Sequence, residues 1–150
     1  MLTWTTYGSW LQGEKRRYVS DGKILDGDEN LYAICKHLQK EPAVKLRYDE
    51  KQIVKRAILN EAERIELELE ALAVCSNHVH LLVRYSPTPI GEIVSRFKNI
   101  STSALKEHGR SGKIWTRGFD KRFCYDNKKF DAYIEYIDEH NKQTYQKLNI

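Results

Sequence analysis

The chain has 150 residues, of which 41% are hydrophobic and 31% are charged, with a formal net charge of +4. This length predicts one domain over residues 1–150, and no apolar run approaches the roughly 20 residues that cross a bilayer. Three cysteines without a CxxC pair argue against a zinc finger and a disulfide scaffold. The mild basic excess permits a polyanionic partner, and an N-terminus without signal-peptide order favours a cytoplasmic protein.

The elements of the first half are separated by a long segment rich in glycine. The opening LTWTTYG, with its threonines and aromatic residues, predicts a first strand. Residues 8–30 predict an irregular excursion, and residues 31–38 a short helix after it. Residues 48–64 predict a longer helix, because apolar residues recur at helical spacing and Asp49 with Gln52 resembles a capping box.

The middle of the chain predicts a β-hairpin. Residues 65–75 alternate apolar residues with glutamates, which is typical of a half-exposed strand. Ser76 and Asn77 form a short turn, and HVHLLVRY follows as the second strand.

Two helices and one further strand complete the prediction. Residues 87–109 predict a helix with an apolar stripe, and Gly109 can end it. Residues 110–126 contain part of another strand, and Asp126 can cap a closing helix. This mixed order with an antiparallel hairpin predicts an α+β fold, an antiparallel sheet with helices packed on one face.

The histidine pair of VCSNHVHLLVRY, His78 and His80, lies inside an apolar strand. Residues i and i+2 of a strand project from the same face, so the two imidazoles project together. They can supply two ligands to one divalent metal or hydrogen-bond one phosphate. They can equally be surface histidines on a solvated sheet face.

His140 is the candidate for a third ligand, since it lies four residues after Tyr136 in the closing helix. Residues at i and i+4 share a helix face, and these two fall on the flank of the apolar stripe. They can therefore face the histidine pair if the helix docks beside that strand. The alternative is a helix with amphipathic tyrosines at its rim.

Four segments together resemble one known family, namely NHVHLLV, LTWTTYGSWLQGE, KIWTRGFDKRF and YIDEH. They are similar to the HUH single-strand transposases with one catalytic tyrosine, which include the small transposases of single-stranded insertion sequences and the REP-associated tyrosine transposases. The similarity covers essentially the whole chain. It implies a ferredoxin-like fold with the histidine pair on a central strand and a Mg²⁺ or Mn²⁺ ion. It also implies cleavage and rejoining of single-stranded DNA next to a hairpin, through a 5′-phosphotyrosine.

The resemblance assigns the metal ligands His78, His80 and His140 and the nucleophile Tyr136. A histidine at position 140 departs from the Gln or Asn that the family places there, which leaves the metal preference open. Asn141 is a fallback ligand. Tyr133 is a weaker candidate nucleophile, because it would put Ile137 at the ligand position. The tail also lacks the Asn-Pro that often follows in the REP-associated branch.

Cleavage of DNA requires a surface that binds the strand, and the basic and aromatic segment RSGKIWTRGFDKRF offers one. The predicted contacts are Arg110, Lys113, Trp115, Arg117, Lys121 and Arg122, with Phe119 as a further stacking residue. A second group is Arg16 and Arg17, beside Lys15 and Trp10. The alternative is that these aromatic residues belong to the core and the cations to a solvated face.

Two other functions stay open from the sequence. A metal-dependent hydrolase would use the three histidines to activate water, with Asp138 or Glu139 as the base, although both lie on another side of the helix. A decayed or domesticated transposase would only bind hairpin DNA or RNA. The expected partner is single-stranded DNA with a hairpin, bound by a monomer or a homodimer that associates with the nucleoid.

Overall fold

The computed structural model describes residues 1–9, 18–20 and 23–146. Its elements, in chain order, are β1 Leu2–Thr5, β2 Tyr18–Ser20, β3 Lys23–Leu25, α1 Glu29–Leu38, α2 Tyr48–Arg64, β4 Leu69–Val74, β5 His78–Val83, α3 Ile90–Glu107, β6 Asp120–Lys121 and α4 Asn127–Gln146. The excursion that the sequence predicted to be irregular therefore contains a small hairpin, in which β2 pairs with β3.

The main sheet has four antiparallel strands in the order β4-β5-β1-β6. With α2 between β1 and β4 and α3 between β5 and β6, the connectivity is the β-α-β-β-α-β pattern of ferredoxin-like folds. The predicted α+β class is confirmed. The strand that carries the two histidines, β5, lies in the interior of the sheet between β4 and β1.

One face of the sheet packs against α2 and α3. Val79 and Leu81 of β5 and Trp4 of β1 are almost completely buried there. Ile58 of α2 and Phe97 of α3 lie in the same cluster. Alternation along β1 and β5 sends these apolar side chains to the helices, so the residues between them must face the other way.

The opposite face packs against α4. Ile137 of α4 is fully buried in a second cluster with Ala73 of β4 and Leu82 of β5. The sequence prediction placed the helices on one face, whereas only α2 and α3 share one. The difference follows from β4 and β5, which are apolar on both sides at this point and therefore need cover on both.

The strand β4 begins later than the alternating pattern predicted. Residues 65–68 turn out of α2, and Glu66 has a φ of +54°, the left-handed conformation that commonly ends helices. A bulge between Leu69 and Ala71 then shifts the register. As a result Leu72 joins the core under α2, while Ala73 faces α4.

Within residues 1–9, 18–20 and 23–146, no helix is both long enough and apolar enough to span a bilayer.

Candidate metal and nucleic-acid site

The strand β5 presents His78 and His80 on the face that α4 covers. Val79 and Leu81 point into the core beneath α2 and α3, so the alternation of the strand turns both imidazoles away from it. The two ring centroids are 4.6 Å apart with an interplanar angle of 68°. The predicted arrangement of the pair on one face is therefore present.

The helix α4 brings two more functional groups to this pair. Burial of Ile137 fixes the rotation of the helix, and Tyr136 and His140 share the neighbouring flank one turn apart. The ring of His140 lies 5.5 Å from that of His78 and 4.7 Å from that of His80. The ring of Tyr136 lies 5.2 Å from that of His80 and 4.5 Å from that of His140.

The three imidazoles fit the donor set of a divalent metal. One ring nitrogen from each of His78, His80 and His140 can be chosen so that all three lie within 4.8 Å of one another. Two nitrogens bound to one ion at about 2.1 Å are at most about 4.2 Å apart, so a small rotation of the rings would close the set around it. Among the described residues, these three histidines form the one group of at least three His, Cys, Asp or Glu side chains close enough together to hold such an ion.

Hydrogen bonds orient two of these rings. Nδ1 of His78 lies 2.7 Å from Oδ1 of Asn77, and Nδ1 of His140 lies 2.8 Å from the backbone carbonyl oxygen of Tyr136. Both oxygens accept, so each Nδ1 donates a proton and each Nε2 holds the lone pair that can bind a metal. Asn77, which the sequence placed in the turn before β5, thus also sets the tautomer of its neighbour.

The third ring is oriented by a residue that the sequence analysis missed. Nδ1 of His80 lies 2.8 Å from Oγ1 of Thr3, and both side chains are buried. Thr3 stands directly opposite His80 in the pairing of β1 with β5. The alternation of LTWT in the sequence indicates that Thr3 faces away from Trp4. The sequence did not reveal, however, which strand pairs with β1 and so which residue Thr3 contacts.

Burial keeps the paired imidazoles neutral. It lowers the pKa of His78 to about 4, and proximity to His140 adds to this effect. It lowers the pKa of His80 to about 3, with smaller contributions from His78, His140 and Arg122. At neutral pH both rings are therefore in the unprotonated form that binds metals.

Two tyrosines were considered as the nucleophile, and their surroundings differ. Tyr136 contacts the rings of His80 and His140 and is 46% exposed, so a substrate can reach it. Tyr133 packs against the buried cluster beneath α4. The fallback ligand Asn141 points its amide at the carbonyl oxygen of Leu72, 3.1 Å away, and so ties α4 to β4.

Comparison with known proteins gives the family. The family model described as transposase, IS200-like, matches residues 28–140. The chain belongs to the IS200-like transposase family. It is also similar to the crystal structure, at 1.90 Å resolution, of a candidate transposase from Deinococcus radiodurans R1, with 18% identity, 93% of this chain and 87% of that chain covered, and a TM-score of 0.47. No curated protein sequence matches the chain at a significant level.

In this IS200-like chain, Arg110, one of the predicted DNA contacts, forms an ion pair with a buried carboxylate. Its guanidinium donates to both carboxylate oxygens of Glu50, at 2.7 and 2.9 Å, and holds the pKa of that buried carboxyl below its usual range. A buried carboxylate needs such a partner. Glu50 also accepts the backbone N–H of Arg47 at 2.8 Å, so it caps α2 in place of Asp49 with Gln52.

Trp115 belongs largely to the core, which was the alternative reading of the aromatic residues. Its ring packs edge-on against Trp4, with centroids 6.3 Å apart, and its indole N–H donates to Oγ of Ser101 at 3.2 Å. It is half-buried. Phe119 is 37% exposed and lies on the surface near the start of α3.

A groove of about 960 Å³ runs between α3 and residues 112–119. Its lining includes four cations, Lys98, Lys106, Lys113 and Arg117. Lys98 donates to the carbonyl oxygens of Thr116 and Gly118, at 2.9 and 2.6 Å, and burial lowers its pKa. Lys98 and Lys106 were missed because they are spaced along a helix rather than clustered in the sequence.

This groove borders the sheet next to the histidines. Oγ1 of Thr116 lies 2.7 Å from Oγ1 of Thr5, and its backbone N–H donates to the carbonyl oxygen of Thr5. Thr5 stands opposite His78 in the sheet. Thr116 of the groove is therefore bonded to the residue that pairs with His78 on the neighbouring strand.

The other predicted cations occupy the edge of the sheet or lie beyond the structure described. Lys121 is in the edge strand β6, and Arg122 follows it with its guanidinium 3.1 Å from Oδ2 of Asp120. Both cations are exposed. Arg16 and Arg17 fall outside the described residues.

Proposed function

We propose that this IS200-like transposase cleaves and rejoins single-stranded DNA next to a hairpin, with Tyr136 as the nucleophile. The observation that supports this most is the convergence of Tyr136 and His140, from one helix, on the paired imidazoles of β5. The ring centroid of His140 lies 5.5 Å from that of His78 and 4.7 Å from that of His80, and the ring centroid of Tyr136 lies 5.2 Å from that of His80. A phenol beside a metal-binding set can supply both the nucleophile and the positive charge for covalent cleavage of a phosphodiester.

His78, His80 and His140 would hold the ion, Mg²⁺ or Mn²⁺, through Nε2. When bound, the ion would supply positive charge that polarises the scissile phosphate. The chain prepares for it by keeping His78 and His80 neutral through burial. Three imidazoles are softer than the oxygen ligands that Mg²⁺ prefers, so we expect Mn²⁺ to be the better of the two.

The chemical step conserves the energy of the phosphodiester bond. The phenol oxygen of Tyr136 attacks phosphorus in line with the 3′-oxygen of the preceding nucleotide. The bond between phosphorus and that oxygen breaks, the phenol proton is lost to solvent, and the leaving oxygen takes up a proton. The products are a 5′-phosphotyrosine and a free 3′-hydroxyl. Attack by the 3′-hydroxyl of another strand reverses the step and restores the tyrosine.

The basic groove would guide the strand to the site. Its cations Lys113 and Arg117, together with Lys121 and Arg122 on the sheet edge, can pair with phosphates. A side-chain hydrogen bond joins Thr116, which lines the groove, to Thr5, which pairs with His78 in the sheet. We expect the strand to cross from the groove to the imidazoles at this point. Arg110 is left out of the proposed DNA surface because Glu50 occupies it.

The decisive experiment captures the covalent intermediate. The protein is incubated with Mn²⁺ and a library of single-stranded oligonucleotides in which a constant hairpin is flanked by random sequence. Denaturing gels detect protein–DNA adducts, and mass spectrometry of the digested adduct identifies the modified residue. We expect the adduct on Tyr136, none with Tyr136→Phe, and normal adduct formation with the matched variant Tyr133→Phe.

The same experiment separates the competing functions. Free 5′-phosphate ends without an adduct would indicate a metal-dependent hydrolase. Binding without cleavage, in Mn²⁺ and in Mg²⁺, would indicate a module that only binds hairpin nucleic acid. An adduct that persists in Tyr136→Phe would refute the assignment of the nucleophile. Sedimentation of the protein with and without the hairpin would distinguish a monomer from a homodimer.

A further inference from the structure

Two aromatic side chains stand exposed directly after the edge strand β6. Phe123 is 50% exposed and Tyr125 is 87% exposed. Their ring centroids are 6.2 Å apart, and the planes are tilted by 32°. Both rings therefore offer apolar surface to the same region of solvent. Exposed aromatic rings that lie next to each other form a contiguous apolar patch, and such patches can mark a binding surface.

The surroundings of these rings are basic. Nζ of Lys121 lies 5.9 Å from the ring centroid of Phe123. Residues 117–129 contain five cations and two carboxylates, and one of the carboxylates, Asp120, is already paired with Arg122. A patch that combines exposed aromatic rings with excess positive charge is complementary to unpaired bases on a phosphate backbone.

The patch also lies beside the candidate active site. β6 pairs with β1 so that Asp120 stands opposite Thr3, the residue that holds His80. The backbone N–H of Arg122 continues this edge by donating to the carbonyl oxygen of Met1 at 2.8 Å. The two rings follow this edge within three residues.

We propose that Phe123 and Tyr125 form a stacking platform for unpaired bases of single-stranded DNA. The inference rests on the proposed function for its substrate, but binding can be measured without cleavage. Base pairs in a duplex hide the faces of their bases from such a platform, so it would favour single strands. Trp115, to which the sequence assigned a stacking role, is half-buried against Trp4, so Phe123 and Tyr125 offer more accessible aromatic faces.

The test compares two oligonucleotide probes of equal length. One is oligothymidine, and the other carries abasic sites in place of every base. Binding is followed by fluorescence anisotropy in EDTA, so that no chemistry occurs. The double variant Phe123→Ala with Tyr125→Ala should bind oligothymidine about 10- to 100-fold more weakly than the unchanged protein.

The chain offers a matched control in Tyr48. This tyrosine is 41% exposed at the start of α2, and Nζ of Lys51 lies 5.9 Å from its ring centroid, as Lys121 does from Phe123. Its neighbours in the first turn are the acidic residues Asp49 and Glu50. Tyr48→Ala should leave the affinity for oligothymidine unchanged, although it removes an aromatic ring with a similar cation contact.

The abasic probe isolates stacking from charge. The unchanged protein should bind it more weakly than oligothymidine, while the double variant should bind both probes alike. If the double alanine variant does not fold, the pair Phe123→Leu with Tyr125→Leu keeps apolar side chains and removes only the aromatic faces. Equal affinity of the variant and the Tyr48→Ala control for oligothymidine would overturn the platform, and so would the same loss for both probes.

The two proposals fail in different ways. If Phe123 and Tyr125 bind bases but the protein forms no adduct on Tyr136, the stacking platform is supported and the proposed cleavage activity is refuted. An adduct on Tyr136 with unaltered oligothymidine binding in the double variant would leave the nuclease and remove the platform.

Discussion

Removal of one hydroxyl group from β1 should weaken metal binding without touching a ligand. Oγ1 of Thr3 lies 2.8 Å from Nδ1 of His80, and the two residues are 7% and 4% exposed. Thr3→Val keeps the shape of the side chain but leaves Nδ1 without this partner, in a place where water cannot easily replace it. Loss of a hydrogen bond to a metal-binding histidine typically reduces metal affinity 10- to 100-fold, or about 1.4–2.8 kcal/mol.

The assay is a titration with Mn²⁺ at neutral pH, followed by the electron paramagnetic resonance signal of the free ion. Thr5→Val is the matched control, because Thr5 is buried on the same strand face but bonds to Thr116 instead of an imidazole. We expect the control to bind Mn²⁺ normally and His80→Ala to bind it far more weakly. An affinity of Thr3→Val within twofold of the unchanged protein would refute the argument.

Three further changes test other contacts. Arg110→Met should lower the free energy of unfolding in urea by about 3 kcal/mol, because the buried carboxylate of Glu50 would keep only the exposed guanidinium of Arg47, 3.4 Å away, as an ion-pair partner, and adding Glu50→Leu should recover most of the loss. Since the folded chain holds the pKa of His78 near 4 and that of His80 near 3, the unfolded chain binds more protons below about pH 6.5. The free energy of unfolding without metal should therefore fall as the pH drops from about 6.5 towards 4, and replacement of both rings by Gln should flatten that slope. Lys121→Ala should reduce the slope of log Kd for single-stranded DNA against log salt by about 1, and an unchanged slope would contradict a phosphate contact there.

The helices and the histidine pair could be predicted because their signals are local. Apolar spacing fixed the predicted helix at residues 48–64, and the structure has α2 at Tyr48–Arg64. The strand period alone placed His78 and His80 on one face. Spacing of four residues brought Tyr136 and His140 together on α4. In each case the information lay within a few neighbouring positions.

Contacts between segments that are far apart in the chain could not be predicted from the sequence. The bond from Thr3 to His80 joins residues 77 positions apart, and the pair of Arg110 with Glu50 joins residues 60 positions apart. Charge and aromatic character suggested DNA contacts at Arg110 and Trp115, but composition does not reveal that Arg110 has a buried partner or that Trp115 packs partly against the core. The late start of β4 likewise depends on Glu66, whose left-handed backbone no alternation of apolar residues reveals.

The turn before β5 is held from two distant places, and this has a consequence for how the protein matures. The carbonyl oxygen of Asn77 accepts the backbone N–H of Thr6, and that of Ser76 accepts the backbone N–H of Leu46. His140 lies on α4, far along the chain from this turn, so no short segment of the chain contains all three proposed metal ligands. A nascent or partly unfolded polypeptide should therefore capture no ion with native affinity, and refolding should precede loading.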